Sequence, residues 1–376
     1  MLPQNPLFLP CCSSQLFAIH MPVTKLQGDK AIAQFCMSDR RVVFDTHAMW
    51  ATGGPETLVQ FALAILRLCR RAPAIIKMEG NDKLAPRFLS EYPPLDKLPT
   101  VSRNELQKGD IFIITENQEC EFWLVNRGVH VYHYLLSTGL KGPASVAQKV
   151  AHGCKLVAHN YCTGSAKFIG AEVSLPAHQH VHLYVTPSRA DFCNRDYSKQ
   201  KEALVLLDDD NPMDVQAETH AACKQLGCRA VLVQGMTFEQ VQELLVKAMV
   251  VIDWCMVGSE RMPIEASMCG AVMLTSARDE ANFNGRTGRC CGNNQQDFPL
   301  PARNLLRHTD GIAPTLRSIF KKFENRSREM KPTRDRFLAN GPPNAMLDDV
   351  REFFEAAAAQ ALGLNRSWYH GHTITR

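Results

Sequence analysis

The sequence predicts an α/β protein with two doubly wound parallel sheets that face each other across a cleft. The length of 376 residues corresponds to two domains at about 150 residues each. Short apolar runs bounded by turns alternate with helical periodicity along most of the chain, which is typical of parallel strands covered by helices on both faces. A polar stretch at 186–202 divides this alternation into two series.

The composition excludes several classes of protein. Hydrophobic residues make up 45% of the chain and charged residues 21%, which is typical of globular domains and not of disordered ones. The net charge of +4 is too small to indicate nucleic-acid binding. The 14 cysteines include no Cys-x-x-Cys pair, the signature of many zinc and thiol-redox sites. We therefore expect reduced, mostly buried thiols and no metal.

The first 40 residues are predicted to be an N-terminal extension. The first 24 carry no charged side chain, but four prolines interrupt them. A signal peptide has a basic start followed by an unbroken apolar run, and a spanning helix needs about 20 apolar residues. Neither pattern is present, so we expect a flexible or surface-packed extension, no transmembrane segment and a cytoplasmic location.

The first domain is predicted to span residues 41–192. Apolar runs mark its strands, and helical spacing follows a Gly-bearing turn, with a helix beginning near Pro55 and continuing to Cys69. The predicted strands are at 42–44, 74–76, 111–114, 129–136, 155–158 and 181–185. Alternating histidines at 178, 180 and 182 would share one face of a strand, either as surface residues or as metal ligands.

The second domain is predicted to span residues 193–340. Its strands are at 203–207, 230–233, 249–252 and 271–274, and its helices at 215–226, from 237 onward and at 262–268. Gly227 ends the first of these helices. Thr237, with Gln240 three residues later, forms a capping box that starts the second.

Two helices are predicted towards the end of the chain. Residues 317–336 hold eight Lys or Arg against three Asp or Glu, and we interpret them as one amphipathic helix with a solvated basic face. A phosphate-binding or membrane-surface role is the alternative. An alanine-rich helix at 350–362 lies within a C-terminal region at 341–376, whose tail is expected to fray.

Two loops lie where an open parallel sheet binds its ligands, at the carboxyl ends of strands. The first, at 45–56, contains Gly53 and Gly54, whose backbone a phosphate or sugar could approach closely. A tight turn without a ligand is the alternative. The second, at 252–261, leads into an apolar helix that contains Glu265. A buried carboxylate needs a partner, which could be a ligand hydroxyl, a backbone N–H or a basic side chain.

The segment at 258–275 resembles the signature of retaining GT-B glycosyltransferases of the "group 1" type. In that family a Glu-Gly turn precedes a Glu-Ala-x-x-x-Gly-x-Pro-Val segment. Gly258 matches the glycine of the turn, and Glu265-Ala266 with Gly270-Ala271-Val272 match the second part. Gly53-Gly54 match the family's first loop. The resemblance implies two Rossmann-like domains and a sugar transfer from a nucleotide donor.

The resemblance also implies roles for individual residues. Glu265 would hydrogen-bond the ribose of a nucleoside-diphosphate sugar, and Gly235 and Met236 would line its base. Gly258 and Ser259 would approach the donor sugar and phosphates, with Gly53 and Gly54 closing over the diphosphate. Glu260 and Arg261 are the candidate catalytic residues. The donor would be a substrate and no cofactor would be tightly bound, while the acceptor would be a carbohydrate, a lipid or a protein.

The chain departs from that family at two places. The family's first glutamate is Val257 here, and Glu260 lies three positions further on. The family's Arg and Lys pair after the first strand of the second domain is replaced by Asp208-Asp209-Asp210-Asn211-Pro212. These departures leave two alternatives to a transferase. One is an inactive sugar- or nucleotide-binding protein of the same fold, and the other is a nucleotide-sugar epimerase.

Overall fold

The structure is a computed structural model. It describes residues 21–45, 53–69, 73–76, 98–115, 122–135, 148–159, 180–181, 200–254, 261–277, 299–340 and 343–364. Within these ranges lie two parallel sheets, one formed by residues between 42 and 181 and the other by residues between 202 and 306. The predicted linker at 186–202 and the predicted boundary at 192–193 lie almost entirely outside the described residues, so the boundary stays a prediction.

The first sheet has seven parallel strands in the order β3-β2-β1-β4-β5-β6-β7. Their bounds are β1 Val42–Phe44, β2 Pro73–Ile76, β3 Thr100–Val101, β4 Ile111–Thr115, β5 His130–Leu135, β6 Lys155–His159 and β7 His180–Val181. Val43 pairs with Ala74 on one side and with Phe112 on the other. The chain therefore runs outward from β1 in one direction and then, from β4, in the other.

Helices cover both faces of the first sheet. Three helices of this part of the chain are α1 Met21–Met37, α2 Gly53–Leu68 and α3 Phe122–Asn126. Because right-handed crossovers that run in opposite directions place their helices on opposite faces, α2 and α3 lie on different sides. Alternate strand residues accordingly enter two separate cores, with Phe44 and Ile113 in one and Val43 and Phe112 in the other.

The second sheet has five parallel strands in the order β12-β11-β10-β8-β9. Their bounds are β8 Glu202–Asp208, β9 Arg229–Val233, β10 Ala248–Ile252, β11 Val272–Ser276 and β12 Leu305–Leu306. The helices that connect them are α4 Met213–Leu226, α5 Phe238–Lys247 and α6 Arg261–Met268. The predicted class, α/β with two doubly wound parallel sheets, is confirmed.

The predicted signals at the helix ends of the second sheet are also confirmed. Gly227 ends α4 in the left-handed conformation with φ 68°, which a residue without a Cβ adopts at low cost. At the start of α5, the Gln240 backbone N–H donates to the Thr237 hydroxyl, and the Thr237 N–H donates to the Gln240 side chain. Both bonds of the capping box are therefore formed.

The sequence predicted one helix over the basic stretch at 317–336, and the structure does not have it. This stretch lies in three helices, α7 Ile312–Lys321, α8 Phe323–Glu329 and α9 Lys331–Asn340. Its charges are not all solvated either, because Arg326 is buried and donates to Asn304 Oδ1 at 2.7 Å. Burial, together with the nearby Arg303, lowers the pKa of the Arg326 guanidinium. A solvated basic face therefore describes only part of this segment.

The late helix is longer than predicted and belongs to the first core. It is α10, Pro343–Ala361, and it contacts α1, α2 and β4. Phe353 lies edge-on to the rings of Phe61 and Tyr132 at 5.2 Å, and Phe354 lies edge-on to Phe35 at 5.4 Å. The chain therefore returns to the first sheet after completing the second.

Residues 21–37 form a packed helix, where the sequence predicted a flexible or surface-packed extension. Ile32 and Phe35 of α1 are buried in the first core. Cys36, near its end, forms a disulfide with Cys69, which follows α2 directly. Cys154 is also disulfide-bonded. The prediction of reduced thiols is therefore wrong for these three cysteines, whereas Cys223, Cys228 and Cys269 are not disulfide-bonded.

No helix among the described residues is long and apolar enough to cross a membrane. Disulfides are typical of oxidising compartments. The predicted cytoplasmic location therefore stays a prediction.

Candidate functional site

The strand order of the second sheet places a ligand crevice between β8 and β10. The chain leaves β8 towards β9 on one side, then continues from β10 to β12 on the other. Ligands of open parallel sheets bind at such a switch point, beyond the carboxyl ends of the strands. The loop that begins at Asp208 and the loop that begins at Asp253 border it.

Asn211 joins these two loops through its side chain. It is only 3% exposed. Its amide nitrogen donates to the Ile252 carbonyl at 2.8 Å and the Asp208 carbonyl at 3.0 Å. Its amide oxygen accepts from the Trp254 N–H at 2.6 Å. These three bonds satisfy the buried amide group. They also hold the backbone in place on both sides of the switch point.

Trp254 is anchored from the next strand as well. The backbone N–H of Ser276, at the end of β11, donates to the Trp254 carbonyl at 3.2 Å, and the Ser276 hydroxyl donates to the same oxygen. Because Trp254 precedes residues 255–260, this second contact fixes the point at which the chain enters that segment. The carboxyl ends of β8, β10 and β11 are thus tied together.

Carboxyl groups dominate the chemistry of this edge. Burial, with Asp210 nearby, raises the pKa of Asp208 to about 7. Burial and Asp209 raise the pKa of Asp210. Both causes act in the same direction, because desolvation and a neighbouring like charge each disfavour the ionised carboxylate. Asp253 is 1% exposed. No group of metal-ligating side chains suited to an ion is found within the described ranges.

Arg261 and Glu265 form a buried ion pair at the start of α6. The Arg261 Nε donates to Glu265 Oε1 at 2.7 Å, and the two side chains are 13% and 3% exposed. Among the partners considered for Glu265, a basic side chain is therefore present. The four-residue spacing places both side chains on one face of the helix, so the pair is a property of α6 itself.

Gly235 and Met236 lie at the same edge, after β9. Gly235 has φ 65°, and a Cβ added there would have no heavy atom within 4 Å. Met236 is half-buried. The structure therefore brings Gly235, Met236, Arg261 and Glu265 to the carboxyl edge of one sheet. Gly258, Ser259 and Glu260 lie outside the described residues, and the assigned roles stay predictions.

Gly53 and Gly54 lie at the first sheet and belong to a helix instead of a loop. They are the first residues of α2, two positions before the predicted start at Pro55. The switch point of this sheet lies between β1 and β4. There the buried Asp45 pairs with the Arg103 guanidinium at 2.5 Å, which places a partly exposed cation near the same edge.

The described residues do not decide whether the alternating histidines are surface residues or metal ligands. His180 begins β7, whereas His178 and His182 lie outside the described residues.

The positions of Asn211, Asp45 and Arg103 at these two sheet edges were not predicted from the sequence. A signal existed for Asp45, which is the first polar residue after a buried strand, and for Asn211, which ends an unusual Asp-Asp-Asp-Asn run. Arg103 had no such signal in the sequence, because its contact with Asp45 joins residues 58 positions apart.

Comparisons with known proteins find a distant structural likeness and no relative by sequence. No protein-family model and no curated protein matches the chain. One solved structure with a similar fold is the DNA-modifying enzyme β-glucosyltransferase, studied with and without uridine diphosphoglucose. It is 10% identical, with a TM-score of 0.40, and the match covers 86% of this chain and 100% of that one. The class of fold therefore rests on the sheet topology described above.

Proposed function

We propose that the protein is a glycosyltransferase that transfers a sugar from a nucleoside-diphosphate donor. The observation that supports this most is the buried Arg261–Glu265 pair at the entrance of α6, beside the switch point of the second sheet. A carboxylate and a guanidinium held there suit the hydroxyls and phosphates of such a donor. The resemblance of 258–275 to GT-B enzymes agrees with this assignment.

Different residues along that edge would bind the ribose, the diphosphate and the base of the donor. Glu265 would accept hydrogen bonds from the ribose hydroxyls, and the Arg261 guanidinium would neutralise charge on the diphosphate. The N-terminus of α6 adds backbone N–H groups and a positive dipole end, which favour phosphate. Gly235 and Met236 would contact the base from the neighbouring loop. Charge developing on the departing diphosphate would be stabilised by these groups without a metal.

The sugar would be transferred with retention to an acceptor held mainly by the first sheet. Gly53, Gly54, Gly258, Ser259 and Glu260 would close around the donor, with Glu260 and Arg261 at the reacting bond. No cofactor would be tightly bound. The acceptor would be a carbohydrate, a lipid or a protein.

Donor binding and turnover test the proposal directly. Nucleoside-diphosphate sugars, beginning with uridine diphosphate glucose, would be screened by thermal shift and then by sugar release. Glu265→Gln should weaken binding of the preferred donor about 10- to 100-fold, because a charge-assisted hydrogen bond contributes about 1.5–3 kcal/mol. Glu243→Gln, an exposed change on α5, is the control and should leave binding unaltered. Full activity in Glu265→Gln would refute the assignment.

A non-catalytic protein of the same fold is the second candidate. It is favoured by Val257, where the resembling family has a glutamate, and by the acidic loop at Asp208. Donor binding without transfer or hydrolysis would support it, and measurable transfer would eliminate it. An epimerase would instead convert the donor sugar without any acceptor, which product analysis would reveal.

A further inference from the structure

Two free cysteines meet at the C-terminal end of α4, away from the candidate site. Gly227 follows this helix in the left-handed conformation, and the Cys228 N–H donates to the Cys223 carbonyl at 3.0 Å. This bond, closed around a left-handed glycine, defines a Schellman motif. The motif brings the side chain after the glycine against the side chain in the last helical turn. Here both of these side chains are thiols.

The backbone bond from Cys228 to Cys223 places the two thiols side by side, and Cys228 is among the neighbours that raise the pKa of Cys223. Neither is in a disulfide. They differ in access, since Cys223 is 2% exposed whereas Cys228 is half-buried. Two neighbouring thiols with one accessible member suit thiol–disulfide exchange, because the accessible thiol can react with an external disulfide and the second can then displace it. The capped helix end holds both groups in place, so that little backbone movement is needed to join them.

We propose that Cys223 and Cys228 form a site of reversible covalent modification, at which a low-molecular-weight disulfide converts the two thiols to an intramolecular disulfide. The Cys228 thiolate attacks one sulfur of the oxidant, forms a mixed disulfide and releases one thiolate. Cys223 then loses its proton to solvent and attacks the Cys228 sulfur, which releases the second thiolate. The two released thiolates take up the protons. Two cysteine thiols are oxidised, and one small disulfide is reduced to two thiols.

The second step is the slow one. Burial, followed by the neighbouring Cys228 side chain, raises the pKa of the Cys223 thiol, and the thiolate is the attacking species. The mixed disulfide at Cys228 should therefore be detectable, and its conversion should accelerate about tenfold per pH unit between pH 7 and pH 9.

The pair differs in kind from the disulfide between Cys36 and Cys69. That bond joins residues 33 positions apart, whereas Cys223 and Cys228 close a very short loop. Cross-linking a short loop removes less entropy from the unfolded chain than cross-linking a long one. The short loop therefore adds little stability when it closes, which suits a bond that forms and breaks with the surrounding redox state.

The experiment treats the full-length protein with oxidised glutathione over a range of ratios to reduced glutathione. Peptide mass spectrometry without reduction should find Cys223 linked to Cys228, and excess reduced glutathione should reverse the link. Cys223→Ser should stop at the glutathione adduct on Cys228. Cys228→Ser should leave Cys223 unmodified, because the remaining thiol is buried. Far-ultraviolet circular dichroism establishes that both variants are folded.

Two results would overturn the proposal. One is a wild-type protein that accumulates the glutathione adduct on Cys228 at every ratio and pH without any linked peptide. The other is modification of Cys223 in Cys228→Ser at the wild-type rate, which would show that the buried thiol does not depend on its neighbour. Even where a variant does not fold, the presence or absence of the Cys223–Cys228 linked peptide in the wild-type protein tests the proposal. Donor binding is not involved, so the outcome is independent of the proposed function.

Discussion

Asp208 ends an interior strand of the second sheet in surroundings that disfavour its charge. Its Oδ1 accepts the Asp209 N–H at 2.7 Å, but burial and Asp210 outweigh this bond and raise its pKa from 3.8 to about 7. The folded state therefore binds a proton at this carboxyl that the unfolded state releases. Between about pH 4 and pH 7, the free energy of unfolding should fall as the pH rises.

Replacing Asp208 by Asn removes this dependence and keeps the acceptor oxygen. At pH 8, where the wild-type carboxyl is charged in both states, Asp208→Asn should raise the free energy of unfolding by on the order of 1 kcal/mol or more. Near pH 4 the two proteins should be closely similar. Urea unfolding at both pH values measures the difference.

Asp214→Asn is the matched control, because Asp214 is exposed in the first turn of α4. A carboxylate there interacts favourably with the helix dipole, so its removal should slightly destabilise the protein. A gain of stability from Asp214→Asn equal to that from Asp208→Asn would contradict the explanation.

Some residues of the candidate site could be predicted from the sequence and others could not. Glu265 was predictable as a buried carboxylate because it interrupts an apolar helix. Its partner Arg261 lies four positions earlier, within reach of helix periodicity. Asn211 could not be assigned, because its bonds to Ile252 and Trp254 join two loops more than 40 positions apart. Contacts within one helix follow from local geometry, whereas contacts between loops require the sheet order.

At the scale of elements, the sequence predicted the longer strands and helices of both sheets because their apolar periodicity is local, but it did not predict the two-residue strands β3 and β12 or the short helix α3. Errors occurred where an element depends on distant partners. α1 has no strong sequence pattern of its own, and it is held in place by the first core and by the disulfide to Cys69. The stretch at 317–336 divides into three helices, with Arg326 turned inward to Asn304.

The disulfide between Cys36 and Cys69 should contribute measurably to the attachment of α1. Its loop of 33 residues corresponds to about 2–4 kcal/mol of stabilisation through the restricted unfolded chain. Replacing both cysteines by serine should lower the free energy of unfolding by that amount. Guanidinium unfolding without reductant measures it.

Cys228→Ser serves as the control for this change, since Cys228 is half-buried and free. Cys228→Ser should lower the free energy of unfolding far less than the double replacement of Cys36 and Cys69. A double variant as stable as the wild type under oxidising conditions would show that the bond does not stabilise the fold.

The whole molecule is organised by the return of α10 to the first sheet. Among the residues whose burial the structure describes, none of 347–361 belongs to the core of the second sheet, whereas the first core contains Val350, Phe353, Phe354 and Ala357 of α10. The alanine-rich composition of 350–362 predicted a helix, but not which sheet this helix would pack against. The second sheet thus has a continuous core of its own, and the first needs the two ends of the described chain.

The two sheets should therefore differ when the chain is divided. A fragment of residues 200–340 should fold alone and unfold cooperatively, because its core is complete. A fragment of residues 21–199 lacks α10, and the aromatic rings of Phe61 and Tyr132 would lose Phe353, whose removal alone costs about 3–5 kcal/mol. It should remain unfolded or partly folded by circular dichroism. Adding a peptide of residues 343–364 should restore structure, whereas the same peptide with Phe353→Ala and Phe354→Ala should not. A cooperatively folded 21–199 fragment would show that α10 is dispensable to the first core.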